Sequence, residues 1–264
     1  MSESRLSPVW DELRKRGRTA LVPYLTAGYP SAEASLDALR AADEMADILE
    51  VGVPFSDPLA DGPTIQRSSF EALRQGMTLA GTLDLVRRAR LSRPVVIFGY
   101  LNPLLRYGVS RFLQEADGLG IAGVLLTDLP AGGDPALEAE IQESPLDLIR
   151  LIAPTTTPAR LAVAAAGAQG FIYLVARLGV TGASTALAEG LTDSVARVRA
   201  ATTLPIAVGF GISTPDQART VGGIADGVVV GSALVEIVGR EGVDAVRRFL
   251  GSLRDALDER GGRP

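Results

Sequence analysis

Residues 49–66 read LEVGVPFSDPLADGPTIQ. The stretch opens as a short apolar strand, and then Pro54, Pro58 and Pro63 interrupt it. None of these prolines has the N–H that a helix interior or a central sheet ladder requires. Three carboxylates, Glu50, Asp57 and Asp61, fall in the same stretch, and Glu50 lies inside the apolar run itself. A buried strand that gives way to a charged, proline-stiffened loop is expected where parallel strands end in functional loops.

Seven other runs share the apolar, β-branched character: Thr19 to Thr26, Pro94 to Tyr100, Gly123 to Asp128, Leu146 to Ala153, Phe171 to Ala176, Leu204 to Gly211 and Asp226 to Gly231. With Ala46 to Gly52 they make eight, and their near-continuous hydrophobicity suits strands buried on both faces. Amphipathic segments separate them, including 32–43, 79–90, 109–119, 135–143, 158–166, 194–201 and 215–221. Ser31 stands before the first of these, and "TTTPAR" and "ISTPDQ" place Thr and then Pro at helix starts. Eight strand–helix units in about 250 residues predict a single (β/α)8 TIM barrel over residues 1–264, preceded by an extra N-terminal helix. A doubly wound sheet is the competing fold, but no G-x-G-x-x-G follows the first strand. The charged end from Arg254 to Pro264 reads as a fraying helix.

The chain has 264 residues, 47% of them hydrophobic, and a net charge of −5. That balance argues against a nucleic-acid or anionic-membrane surface. The basic run RKRGR at 14–18 reads as the solvated face of the N-terminal helix. No signal-peptide core and no run approaching the ~20 apolar residues of a membrane span is present, so a soluble, cytoplasmic protein is expected. Cysteine and histidine are both absent, and Lys15 is the only lysine. Thiolate and Ser-His chemistry, the usual metal ligands and a Schiff base on a core strand are thereby excluded. Carboxylates, tyrosines, backbone and water remain to move protons, and no cofactor is implied.

A barrel of this kind places its chemistry at the C-terminal ends of the strands. Glu50 lies near the end of the second strand, facing either the barrel interior or a helix; the alternative is a buried acid satisfied by backbone donors or an arginine. Asp61 follows eleven residues later, close enough for the loop to return it to the mouth. Asp57, before a proline, reads equally well as turn chemistry. "VGFGIS" and "VVVGSA" close the seventh and eighth runs with glycines, the usual place for a barrel to hold a phosphate. After Tyr173, a long stretch of small residues to Gly190 reads as a lid. Arg93, Arg106 and Arg150 show no spacing that marks them as clamps.

These residues resemble the tryptophan synthase alpha subunit family, through "LVPYLTAGYPS", "LEVGVPFSDPLADGPTIQ", "GYLNPLLRYG", "LLTDLP", "YLVARLGVTGA", "VGFGISTPDQA" and "GVVVGSALV". The resemblance spans nearly the whole chain. It implies cleavage of indole-3-glycerol phosphate to indole and glyceraldehyde 3-phosphate, with an alpha2beta2 assembly on a beta subunit. It further implies Glu50 as the acid/base, Asp61 as the partner of the indole N–H and Tyr173 as a catalytic-site tyrosine. Gly182, Phe210, Gly211, Ile212, Gly231 and Ser232 fall on the phosphate cradle, and Tyr24, Phe98, Tyr100, Leu125, Thr127 and Ile152 on the indole pocket. Asp57, Arg177 and Thr181 would face the partner or the lid. Tyr24 stands where the family commonly has phenylalanine, and Thr127 where a smaller apolar residue is frequent.

Two other readings compete. A phosphate-binding barrel isomerase or cyclase would want an aspartate at the end of the first strand, where this chain has YLTAGYP. A non-catalytic barrel that only activates a partner should have lost one of the two acids.

Overall fold

The computed structural model describes residues 4–175, 184–209 and 211–259. Eight parallel strands, β1 (Ala20–Thr26), β2 (Leu49–Gly52), β3 (Val95–Gly99), β4 (Gly123–Leu126), β5 (Asp147–Ile152), β6 (Ile172–Val175), β7 (Ile206–Gly209) and β8 (Gly227–Val230), close into a barrel in sequence order. Twelve helices are described: α1 (Ser7–Lys15), α2 (Ala32–Asp43), α3 (Pro63–Arg74), α4 (Leu79–Ala89), α5 (Leu101–Tyr107), α6 (Val109–Gly118), α7 (Pro135–Glu143), α8 (Pro158–Ala166), α9 (Ser184–Arg199), α10 (Pro215–Gly222), α11 (Ser232–Arg240) and α12 (Val243–Asp258). This is the expected TIM barrel with its additional N-terminal helix.

Side-chain alternation divides the core into two layers, because successive strand residues point to opposite faces. In β1, Ala20, Val22 and Tyr24 join the cluster inside the barrel, whereas Leu21 and Leu25 join the cluster between strands and helices. The inner cluster is closed at the N-terminal strand ends by α1. Its Trp10 packs on Phe171 with ring centroids 5.5 Å apart, and Leu6 and Leu13 seal the same end. The aromatic pair adds about 1 kcal/mol to its burial. Arg14, Lys15 and Arg16 are exposed along the last turn of α1 and its cap, as a solvated face should be.

Helix starts follow the capping chemistry in the sequence. Ser31, Thr157 and Thr214 accept N–H bonds from residues three further on, and Thr214 forms a reciprocal box with Gln217. Pro63 also proves to be a helix start: it occupies the first turn of α3, where a missing N–H is harmless. The stretch read as a loop up to Gly190 is corrected, since α9 begins at Ser184. Good helix formers outweigh the single glycine, whose cost is about 1 kcal/mol. As far as Asp258 the charged end is a firm helix rather than a fraying one, and residues 260–264 lie outside the described residues. Arg254 in α12 is buried and bonds Asp47 Oδ2 at 2.9 Å and the Thr19 carbonyl at 3.0 Å, tying the last helix to the start of the barrel.

Candidate active site

A cavity of about 260 Å³ opens at the C-terminal ends of the strands. Tyr24, Phe98 and Tyr173 reach it from inner strand faces, Asp61 from the segment between β2 and α3, and Gly211, Gly231 and Ser232 from the ends of β7 and β8. A second cavity of about 430 Å³ lies under α1, walled by residues including Trp10, Lys15 and Arg18. It faces the N-terminal strand ends, which serve stability in this architecture rather than chemistry.

Asp61 is brought back to the mouth as the loop length allowed. Its Oδ2 accepts a hydrogen bond from the Tyr100 hydroxyl at 3.0 Å. Burial pushes its carboxyl up to about 6, while the Tyr100 bond opposes that rise. Asp57, by contrast, is exposed and accepts from the Ser56 hydroxyl at 2.5 Å, beside the fully projecting Leu59.

Glu50 takes the interior orientation, and the alternative of a satisfied structural acid is not realised. Its side chain is completely buried, and neither carboxylate oxygen has a hydrogen-bond partner among the described residues. Burial alone pushes it up to about 8, so the neutral acid prevails at pH 7. Its cross-strand neighbour explains why it does not line the cavity. Tyr24 stands level with Glu50 in the β1–β2 register, and its ring runs up to Gly52, where a methyl group would lie 2.0 Å from the hydroxyl. The Tyr24 ring thus covers Glu50 on the side of the mouth.

The remaining expectations separate by strand phase. Tyr24, Phe98 and Thr127 line the cavity, and Tyr100 stands behind Asp61. Leu125 lies in the inner cluster, fully buried and below the cavity. Ile152 is a correction: it packs in the outer layer, and its neighbours Leu151 and Ala153 reach the cavity instead. A shift of one residue reverses the face of a strand side chain. Arg150, two positions earlier on the same outer face, forms a buried ion pair with Glu138 and points away from the site. The Ile212 side chain likewise turns into the outer layer, while Gly211, at φ +89°, lines the cavity. Arg177, Thr181, Gly182 and Phe210 lie outside the described residues. Ala60, Gly62, Ile65 and Val175 also contribute to the lining. Of these only Val175 was readable in advance, two residues along the same face from Tyr173.

Ser232 opens α11 with Gly231 as its cap, so the leading N–H groups of that helix, which have no intrahelical partner, begin at the cavity wall. A helix N-terminus beside glycines accepts a phosphate readily. One wall therefore suits an anion, aromatic rings form another, and two carboxylates of raised pKa stand near them. A TIM barrel with such a mouth is suited to a phosphorylated ligand and to acid–base chemistry on carboxylates.

A family model described as tryptophan synthase alpha chain matches residues 10–254. The tryptophan synthase alpha chain of Acidiphilium cryptum is 48% identical over 237 residues, covering 88% of this chain and 86% of that one. That of Geobacter sulfurreducens is 46% identical, covering 96% and 99%. Among solved structures, Mycobacterium tuberculosis tryptophan synthase superimposes with a TM-score of 0.88 at 40% identity, covering 97% and 99%. The alpha subunit from Legionella pneumophila gives 0.89 at 34%, covering 98% and 100%. The chain belongs to the tryptophan synthase alpha chain family. That family is the lyase that cleaves indole-3-glycerol phosphate to indole and glyceraldehyde 3-phosphate in tryptophan biosynthesis.

Proposed function

We propose that this chain carries out the retro-aldol cleavage with Glu50 and Asp61 as its two working acids. Breaking the bond between indole C3 and the glycerol chain needs a proton delivered to C3 and a proton removed from the adjacent side-chain hydroxyl, which becomes the aldehyde oxygen. Positive charge builds on the ring nitrogen in between. Asp61, ionised above about pH 6, meets the indole N–H and stabilises that charge. Glu50, neutral at pH 7, carries the protons, turning past Tyr24 to reach the substrate. Tyr24, Phe98 and Tyr173 hold the ring, and Gly211, Gly231 and Ser232 with the N-terminus of α11 hold the phosphate.

The observation that carries this reading is the partnerless, fully buried carboxyl of Glu50 two residues below the cavity rim. A buried acid with no donor destabilises the fold, and such groups concentrate at functional sites. The single domain works in the cytoplasm and binds a tryptophan synthase beta subunit, with Asp57 and the segment around Arg177 and Thr181 as its sensors. The test is indole release from indole-3-glycerol phosphate, with and without that subunit. Glu50→Gln and Asp61→Asn should each lower turnover by about 10²- to 10⁴-fold while still binding substrate. Near-normal turnover by either variant rejects its assigned role.

A further inference from the structure

Tyr100, just beyond β3, meets the segment between β2 and α3 at three points. Its ring packs on Phe55 with centroids 4.9 Å apart. Its hydroxyl accepts from the Ala60 N–H at 3.1 Å and donates to Asp61 Oδ2 at 3.0 Å. Thr127, just past β4, donates its hydroxyl proton to the carbonyl of Gly99, the residue before Tyr100, at 3.3 Å. A phenol oxygen offers one proton and two acceptor sites. With the Ala60 N–H donating to that oxygen, the phenolic proton is directed at Asp61.

We infer that Tyr100 is a positioning residue that aims the Asp61 carboxylate into the cavity and holds it ionised. The inference rests on the reading of Asp61 as the group that meets the ring nitrogen. Among the described residues no other group is seen to favour the charge on Asp61. The other groups that couple to it electrostatically are Tyr24 from β1 and Tyr173 from β6, with Glu50 of β2 coupled to both tyrosines; all are neutral or anionic. Burial opposes the charge on Asp61, and the Tyr100 hydrogen bond is the contact that favours it.

The pH dependence of kcat/KM for indole release from indole-3-glycerol phosphate tests this. Tyr100→Phe keeps the ring on Phe55 and removes only the hydroxyl. Its acid limb should move up by about one pH unit, so that turnover falls about tenfold near the foot of the limb and recovers at higher pH. The substrate phosphate titrates equally in both proteins, so the displacement between them reports the enzyme alone. A role in packing alone would raise KM and leave the limb in place. An unmoved limb in Tyr100→Phe overturns the inference while Asp61→Asn remains inactive. Normal turnover by Asp61→Asn would instead remove the parent reading of Asp61, and this one with it.

Discussion

The hydroxyl of Tyr173 lies against Gly209 on the neighbouring strand β7, so closely that a methyl group at that position would sit 2.2 Å from the phenolic oxygen. Tyr24 and Gly52 repeat the relationship between β1 and β2. In both pairs an inward tyrosine leans across to the next strand, and a glycine at that strand's end makes the room.

Gly209→Ala tests this seating. The added carbon would also fall 2.7 Å from Tyr173 Cζ and 3.0 Å from Val229 Cβ, so the ring must be displaced into the cavity. The expected outcome is a loss of about 1–3 kcal/mol of stability and a raised KM for indole-3-glycerol phosphate. Adding Tyr173→Phe should recover only part of the stability, because the ring carbon still collides. Thermal unfolding and steady-state kinetics on the single and double variants measure both.

Activity should follow a bell in pH. Asp61 acts as an anion and titrates at about 6, so cleavage falls as pH drops through that value. Glu50 must hold a proton to deliver and titrates at about 8, so cleavage falls again as pH rises past it. The kcat/KM profile reads these free-enzyme groups. A basic limb that survives in Glu50→Gln would assign that limb to another group.

Glu50 should also weaken the fold at neutral pH. Its carboxyl titrates near 8 when folded and at about 4.5 when exposed, so between those values the unfolded chain gives up the proton that the folded one retains. Stability therefore declines as pH rises from about 4.5 to about 8, by a cost of about 3 kcal/mol at pH 7. Glu50→Gln should remove this slope. Urea titrations at pH 4.5 and pH 7 should show a variant that matches the parent at the lower pH and exceeds it at the higher. A parallel pH dependence in both proteins would contradict the partnerless burial.

Much of the site was legible because its chemistry had few candidates. With histidine and cysteine absent and Lys15 outside the strands, Glu50 and Asp61 stood out by elimination and by position at a strand end. The cavity wall at Gly211, Gly231 and Ser232 was legible for a similar reason, since glycines that close successive barrel strands precede helix N-termini. Ile152 shows where this reasoning stops. Its type suits either layer of the barrel, and only the phase of β5, visible in the buried Arg150–Glu138 pair two positions earlier, decides that Leu151 faces the cavity.

The sequence by itself determined the number and order of the strands, the capped helix starts and the kind of chemistry open to this chain, because these follow from periodicity and from which side chains are present. Tertiary structure decided which of those side chains meet. Tyr100 and Asp61 are thirty-nine residues apart along the chain and bonded in space; Tyr24 covers Glu50 from another strand; and Glu50 is left without a hydrogen-bond partner among the described residues. Barrel closure and register set these contacts between distant residues, and no local pattern encodes them.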